Sequence, residues 1–408
     1  NNLEVIETGY GISLRPLSVF ANEVYKDCDV HRFAVKLTGP DADQYSEKDK
    51  LLSARMHKAI TIILFKLEGQ KLLRHPEYGM SDRLLLDKID YANKCITIGD
   101  TTYPLEDVDF PTVDPKDPYT LTPEEDTVIN QLTASFLRSE KLQKHIRFLY
   151  SKGSLYKIFN GNLLFHGCVP LNEDGTFSSM NCLGTWHAGR DYLDFCDHIA
   201  RRAWRVGDRD ALDWMWYLWI GFNSPASGRL VRTFERAYIA DKSTWVEPMD
   251  PYFTLTKSPS VCDDIMREFG VAPMACSPTG HIINGHIPVK SKKGESPIKG
   301  GGRLVVIDGG FCRAYHEKTG IAGYTLVYSS RTMSLRTHQP FVSAEKAVNE
   351  NIDIVSQKNI LETENHRILV EETDEGEILR EKVHDLKQLV RAYQLGWIKE
   401  TRCDDSVW

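Results

Sequence analysis

The chain has 408 residues, which is enough for a substantial buried core and for about two or three domains. Its hydrophobic fraction of 41% and its charged fraction of 26% are ordinary for a globular protein. The formal net charge of −7 argues against a general nucleic-acid or membrane-surface binder, because those partners require a basic footprint. A phosphorylated substrate held in a local basic pocket is compatible with this charge.

The cysteines and the apolar segments predict a cytoplasmic protein. The nine cysteines are scattered and include no Cys-x-x-Cys pair, which favours free thiols in a reducing compartment over a disulfide framework. No signal peptide and no apolar run of membrane-spanning length is visible in the sequence. The first residue is Asn1 rather than Met, so we expect the chain to be part of a longer protein.

The first third of the chain is predicted to be mainly helical. Apolar residues spaced by three and four over 46–68 predict a helix that begins after Ser46 and ends at Gly69. The Thr-Pro-Glu-Glu sequence at 122–125 is typical of a helix start with a capping box. The apolar residues over 129–149 predict that this second helix continues with one buried face.

Two later apolar stretches each present a histidine beside a glycine. An Asn-Gly pair at 160–161 predicts a hairpin whose second strand ends in His166. A second stretch, 281–289, contains His286. A histidine in such a position can point its ring into a cavity, as a metal ligand does, and the alternative is a core histidine whose nitrogens bond to backbone groups. Because the pattern occurs twice, it favours a shared site.

Four short apolar segments in the last third predict an antiparallel β-meander. They are residues 281–289, 303–307, 321–328 and 333–337. Between the second and third segments lies a polar loop, 311–320, which is either a substrate-contacting loop or an ordinary surface loop.

Residues 341–408 are predicted to form a charged helical tail. Its main helix is predicted over Glu377–Leu395, because apolar residues recur there at helical spacing. One face of that helix is apolar and the rest is charged, so the tail is a candidate packing or oligomerisation element.

Several stretches, in their order and spacing, resemble one enzyme family. They are Tyr-Gly-Ile-Ser-Leu-Arg-Pro-Leu at 10–17, Phe-Lys-Leu-Glu-Gly-Gln at 65–70, Asp-Arg-Leu-Leu-Leu-Asp-Lys-Ile-Asp-Tyr at 82–91, Asn-Gly-Asn-Leu-Leu-Phe-His-Gly-Cys-Val-Pro at 160–170, His-Ile-Ile-Asn-Gly-His-Ile-Pro-Val-Lys at 281–290 and Val-Ile-Asp-Gly-Gly-Phe at 306–311. Together they resemble class III fructose-1,6-bisphosphatase, a bacterial family among the calcineurin-like metallophosphoesterases. The resemblance covers nearly the whole chain, up to the tail.

The resemblance implies an α/β fold. That fold is a metallophosphoesterase-type β-sandwich flanked by helices, incomplete in this chain without an upstream half and followed by a helical C-terminal tail. Residues 1–340 would then be the C-terminal part of the catalytic domain, with a helical insert at about 40–150, and residues 341–408 would be the charged tail.

The resemblance also implies two metal ions, usually manganese, at the sheet edges. In such enzymes the ions bridge an attacking hydroxide and the phosphate, and histidine and carboxylate ligands suit manganese. By the family pattern, His166 and His286 would bind the same ion, and Pro288 stands where many relatives have another histidine. Asp308 would orient a ligand or the glycine turn after it rather than bind metal.

The other metal-binding blocks of the family are missing from this sequence. They are Asp-x-His, Gly-Asp-x-x-Asp-Arg-Gly and Gly-Asn-His-Asp, which in the family lie upstream of the part that this chain resembles. Asp29-Val30-His31 matches the first block only superficially, and we expect it to be an exposed loop. Because a stable metal centre normally takes at least three protein ligands, we expect this chain alone to lack phosphatase activity and to need the N-terminal half of the enzyme as a partner.

Basic and tyrosine side chains near the informative loops are candidates for binding the sugar phosphates. Arginine would bind a phosphate through bidentate hydrogen bonds and lysine as a point charge. The candidates are Arg190, Arg229, Lys290, Arg313, Lys318 and Tyr324. Among them, Arg229 and Lys290 are preferred.

The implied activity is hydrolysis of the 1-phosphate of fructose 1,6-bisphosphate to fructose 6-phosphate and phosphate, a step of gluconeogenesis, at a dinuclear Mn²⁺ site. One alternative is a phosphatase of the same superfamily that acts on another phosphorylated substrate. A second is a non-catalytic scaffold or regulatory module with vestigial metal ligands. No nucleic-acid or membrane partner is expected, and a homo-oligomer is a further partner that the tail suggests.

Overall fold

The computed structural model describes residues 2–35, 45–271, 280–310, 318–341, 343–350 and 356–399. Its helices are α1 (Asn2–Tyr10), α2 (Arg15–Val24), α3 (Glu47–Arg74), α4 (Pro123–Arg138), α5 (Glu140–Lys152), α6 (Gly189–Arg205), α7 (Arg209–Ile220), α8 (Thr233–Tyr238), α9 (Tyr252–Leu255), α10 (Pro259–Glu268), α11 (Ala344–Asn349) and α12 (Asp374–Gln394). Its strands are β1 (Ile89–Asp90), β2 (Cys95–Ile98), β3 (Thr101–Pro104), β4 (Tyr156–Phe159), β5 (Asn162–Phe165), β6 (Met180–Cys182), β7 (Thr185–His187), β8 (His281–Asn284), β9 (Ile298–Lys299), β10 (Leu304–Val306), β11 (Gly323–Tyr328), β12 (Thr332–His338) and β13 (Ser356–Thr363).

The chain divides into two compact units, each built from two segments of sequence. Unit 1 comprises Asn1–Ser154 and Ser178–Asp250, and unit 2 comprises Leu155–Phe177 and Pro251–Trp408. The sequence predicts a catalytic domain that ends at residue 340 and a tail that follows it, and this division stays a prediction. No helix in the described ranges combines the length and the apolar character needed to cross a membrane.

Unit 1 is organised around the long helix α3. The helix begins as predicted, because the Ser46 side chain accepts a hydrogen bond from the Asp49 amide and completes a capping box. One side of α3 packs on α2 and α4, and another packs on β2 and α8. The predicted end at Gly69 is wrong, since the helix continues to Arg74. Gly69 instead lets the ring of Tyr119 lie against the helix backbone, where a β-carbon would overlap it.

The predicted continuous helix over 122–149 is two helices. The capping box of Thr122 and Glu125 starts α4 as expected, but the helix stops at Ser139, whose ψ of 100° is extended. The Ser139 hydroxyl donates to the carbonyl of Tyr10 at 2.8 Å, which ties the junction between the two helices to the end of α1. The buried face was also predicted wrongly for α5, where Leu149 is 59% exposed.

Unit 2 contains a five-stranded mixed sheet in the order β4-β5-β8-β10-β9. The predicted hairpin is confirmed: β4 and β5 are antiparallel, and Asn160 and Gly161 both have positive φ, as a type I′ turn requires. Strands β5, β8 and β10 run parallel to one another, so the predicted antiparallel meander is wrong for its first two strands. The connection from β8 to β10 exceeds about a dozen residues, the length that a parallel crossover needs.

The second sheet of unit 2 is antiparallel, with the order β11-β12-β13. The pairing of β11 with β12 agrees with the predicted meander. Strand β13 comes from the region predicted as a helical tail, so part of that region is sheet. The tail helix itself is confirmed as α12. Both units combine helices with sheets, and the described chain is a mixed α/β protein.

Candidate metal centre

Three parallel strands bring His166, His286 and Asp308 to one edge of the five-stranded sheet. His166 directly follows β5, His286 comes two residues after β8, and Asp308 comes two residues after β10. The carboxyl ends of parallel strands lie at the same edge, which is where open α/β sheets place their ligands. An antiparallel meander would have put Asp308 at the opposite edge from His286, so the parallel pairing is what assembles the site.

The two histidines are in direct contact. His166 Nε2 lies 3.0 Å from His286 Nδ1, and the rings meet edge to face at an interplanar angle of 69°. His286 has a φ of 67°, which is uncommon for a residue other than glycine and is found mainly where surrounding structure over-determines the backbone. The two histidines of the His-Gly patterns are therefore neighbours, and their sharing of a metal site stays a prediction.

Buried polar groups hold the two strand ends beside each other. The Gly285 amide donates to the His166 carbonyl at 2.9 Å. Asn284, which is 3% exposed, donates from its side-chain amide to the Gly167 carbonyl at 3.0 Å and contacts the Tyr252 hydroxyl at the same distance. Sequence reasoning missed Asn284. The only signal in the sequence was a single amide side chain after two isoleucines at the end of β8.

Asp308 is placed to shape the turn after β10. Its carboxylate Oδ1 accepts a hydrogen bond from the Gly310 amide at 2.9 Å, and its backbone carbonyl accepts one from the Val289 amide at 2.9 Å. The second bond connects the end of β10 to the segment that follows His286. These contacts are compatible with an orienting role for Asp308, which stays a prediction.

By itself, the histidine pair does not make a metal site. The 3.0 Å between His166 Nε2 and His286 Nδ1 is a normal hydrogen-bond distance, and these two nitrogens are the donors that the pair would offer to an ion. Within the ranges that the structure describes, no group of three or more His, Cys, Asp or Glu side chains could hold a metal ion. Two imidazoles are fewer donors than a stable centre takes, so the described residues alone do not fit manganese.

The candidate substrate residues of unit 2 differ in their surroundings. Lys290 is exposed, and its backbone amide donates to Glu295 Oε2 at 2.9 Å. Lys318 is also exposed. Tyr324 is only 5% exposed, and its hydroxyl lies 2.7 Å from Ser291 Oγ, so it links the loop after Lys290 to strand β11.

Two of the remaining candidates are partly exposed and lie near carboxylates of unit 1. Arg190 and Arg229 belong to unit 1, where Arg190 lies 3.8 Å from Asp194 and Arg229 lies 3.4 Å from Glu247. Both side chains are close to half exposed. Arg313 lies outside the described residues. The roles of all six candidates in substrate binding stay predictions.

Asp29 and His31 are exposed, as expected, but Val30 between them is buried and His31 begins a short 3-10 helix, so the stretch is only partly an exposed loop. Its histidine Nδ1 lies 2.7 Å from Asp29 Oδ2, and both side chains are more than half exposed. The aspartate is therefore engaged by its own neighbour in the chain. The resemblance of this stretch to a metal-binding block stays superficial.

Two titratable groups near the five-stranded sheet, His281 and Glu295, have shifted pKa values. Burial lowers the pKa of His281 at the start of β8, and the nearby Glu362, 3.8 Å away, only partly offsets this effect. Burial opposes ionisation of Glu295, but hydrogen bonds from Lys299 and from the Lys290 amide lower its pKa overall. The loop that carries Lys290 thus contains an ionised carboxylate paired with Lys299.

Comparisons with known proteins give a consistent result over almost the entire chain. A family profile described as "Firmicute fructose-1,6-bisphosphatase" matches residues 1–395. A protein of Clostridium novyi named "Fructose-1,6-bisphosphatase class 3" is 50% identical over 405 residues, covering 98% of this chain and 60% of the relative. Proteins with the same name in Bacteroides fragilis and Listeria innocua are 47% and 46% identical, again over 98% of this chain.

The chain spans about 60% of the length of these curated relatives. No solved structure was found to match it. The family profile nevertheless covers far more than half of the sequence, and identity to the relatives is close to one half. The chain therefore belongs to the family described as Firmicute fructose-1,6-bisphosphatase.

Proposed function

We propose that this chain is part of an enzyme that hydrolyses the 1-phosphate of fructose 1,6-bisphosphate to fructose 6-phosphate and phosphate. The observation that carries the proposal is the 50% identity, over 98% of the chain, to a relative named for that activity. In the reaction a water oxygen bonds to phosphorus, the bond from phosphorus to the sugar oxygen breaks, and that oxygen takes up a proton. The place of the enzyme would be gluconeogenesis in the cytoplasm.

His166 and His286 are proposed to supply two nitrogen donors to one manganese ion of a dinuclear site. Their 3.0 Å separation and their position at the end of parallel strands support this role. The remaining donors would come from the N-terminal half of the enzyme. That half is the partner predicted from the sequence. We also propose that the complete enzyme has the metallophosphoesterase-type β-sandwich that the resemblance implies.

The chain by itself is proposed to be inactive. The measurement is hydrolysis of fructose 1,6-bisphosphate by the purified chain, with intact mass and metal content determined on the same sample. Activity that rises linearly with the concentration of this chain, with no other polypeptide present, would contradict the proposal. About two manganese ions in a complex with a second polypeptide would support it.

The metal role is tested in the full-length enzyme that contains this chain. His166→Ala and His286→Asn should each lower manganese affinity and phosphatase activity at least about tenfold, because each removes one ligand. Asparagine suits position 286 because it tolerates the positive φ there. His31→Ala is the matched control, since that histidine is exposed and bonded to Asp29. Unchanged metal affinity in both site variants would refute the assignment.

The substrate is tested by comparing fructose 1,6-bisphosphate with a phosphopeptide in the same full-length enzyme. A clear preference in kcat/KM for the sugar bisphosphate is expected. Lys290→Gln should raise KM for the bisphosphate, because the exposed ammonium is proposed to bind a phosphate as a point charge. A preference for the phosphopeptide would favour another phosphatase of the superfamily.

A further inference from the structure

Helix α12 carries an uncovered apolar seam. The residues Leu379, Val383, Leu386, Val390 and Tyr393 follow one another at steps of four and three, which is the a/d pattern of a coiled coil. We call these five side chains the α12 seam. Each of these side chains is between 45% and 59% exposed, although their spacing is that of a buried helix–helix interface. Monomeric proteins rarely leave so continuous an apolar stripe open to water.

The start of α12 is firmly attached to the rest of unit 2. The Asn160 amide donates to Asp374 Oδ2 at 2.8 Å, and the Asp374 amide donates to Asn160 Oδ1 at 3.1 Å. Gly376 is buried against the carbonyl of Val370, where a β-carbon would overlap it. The helix is therefore fixed at its first turn, and the seam beyond it is the open part.

Beyond the first turn of α12, the charged residues that flank the seam are basic. Arg380 and Lys387 occupy the e positions and Lys382 a g position of the heptad, next to the apolar residues. The acidic residues Glu377, Glu381 and Asp385 lie at the b, f and c positions, on the face away from the seam. The charge next to the seam is thus positive, and flanking charges decide which helix can pair with it.

This charge pattern disfavours a second copy of the chain as the occupant. In a parallel pair, Lys382 of one copy faces Lys387 of the other. The one attractive pair, Glu375 with Arg380, lies at the level of Gly376, which is already covered by the segment before the helix. In an antiparallel pair, Arg380 faces Lys387, which is again a like-charge contact.

We propose that the α12 seam binds an amphipathic helix of a separate polypeptide, with acidic residues flanking the apolar face of that helix. Valine at the a positions and leucine at the d positions favour a two-stranded coiled coil. Carboxylates at the flanking positions of the partner would pair with Lys382 and Lys387, whereas Arg380 already donates to the Glu371 carbonyl. The seam shares no residue with the histidine cluster.

Two labelled synthetic peptides test this inference on the full chain. Both have three heptads with valine at a and leucine at d, but one has glutamate and the other lysine at e and g. By fluorescence anisotropy, the glutamate peptide should bind at least about tenfold more tightly than the lysine peptide at low salt. The difference should shrink at about 0.5 M salt, where screening shortens the reach of the charges.

Charge variants test whether the glutamate peptide binds at the α12 seam or is attracted to the protein's basic residues in general. Replacing Lys382→Glu together with Lys387→Glu should invert the preference in favour of the lysine peptide. Lys387→Gln and Gln388→Glu change the net charge by the same amount, and only the first should weaken binding of the glutamate peptide, because position 388 faces away from the seam. Leu386→Asp should abolish binding of both peptides.

Three outcomes would overturn the inference. The first is the absence of binding by either peptide. The second is equal binding of both peptides at low salt. The third is a dimer of the chain in sedimentation analysis that Leu386→Asp dissociates, because the seam would then be occupied by a second copy.

Discussion

Replacing Gly309 by alanine tests whether the turn after Asp308 depends on a close approach of two backbones. A β-carbon on Gly309 would lie 2.5 Å from the Cα of Gly323 and 3.0 Å from Ile321 Cδ1. Gly309 and Gly323 are both buried. Gly323 begins β11, so the contact joins the site edge of the five-stranded sheet to the antiparallel sheet of unit 2.

The magnitude follows from the overlap. Non-bonded carbon atoms are most stable at about 3.5–4.0 Å, so the two backbones would have to separate by about 1 Å. Inserting atoms into a well-packed core usually costs about 1–3 kcal/mol. The obstructing atoms belong mainly to backbone rather than to a flexible side chain. We therefore expect Gly309→Ala to lower the free energy of unfolding by about 3 kcal/mol.

Gly285→Ala is the matched control, because it makes the same substitution beside the same site. Its β-carbon would meet its nearest neighbour, the Asp308 side chain, at 3.7 Å, which is ordinary contact. Its φ is not positive, so alanine can adopt the backbone there, and reduced freedom of the unfolded chain should stabilise the protein by about 0.4–1 kcal/mol. Urea unfolding followed by far-UV circular dichroism measures both changes. Equal stability of the two variants would refute the steric reasoning.

Three further predictions concern buried polar groups. Lys66→Met should lower the free energy of unfolding by about 3–5 kcal/mol, because it leaves Glu125 buried without the ammonium that is now 2.7 Å away. Adding Glu125→Gln should restore much of this stability, as measured by thermal unfolding. Burial raises the pKa of Glu68 to about 7 from an ordinary 4.5, so the folded state binds the proton more tightly and stability falls as pH rises between those values. Glu68→Gln should remove that decline, which urea unfolding at pH 5 and pH 8 measures. If the variant and the parent protein differed in free energy of unfolding by the same amount at both pH values, the pKa shift would be refuted. Asn284→Leu should cost about 1–3 kcal/mol in the same assay, because the buried Gly167 carbonyl loses its donor; no loss would mean that water replaces the amide.

The sequence by itself determined the local elements of this protein. The start of α3 at Ser46, the capping box at Thr122, the Asn-Gly turn at 160–161 and the helix over 374–394 were all predicted within a few residues. Each depends on hydrogen bonds and side-chain spacing among residues close in sequence. Recurrence of the His-Gly pattern was also enough to associate His166 with His286.

Only the tertiary structure decided how those elements pair. Strands β5, β8 and β10 are only three or four residues long, so their short apolar runs do not distinguish parallel from antiparallel pairing, and the parallel arrangement was not predicted. That arrangement is what brings Asp308 to the same edge as the two histidines. The role of Asn284 likewise depends on Gly167 and Tyr252, which are remote in sequence. Contacts between distant residues are set by the packing of the whole unit, and no local pattern records them.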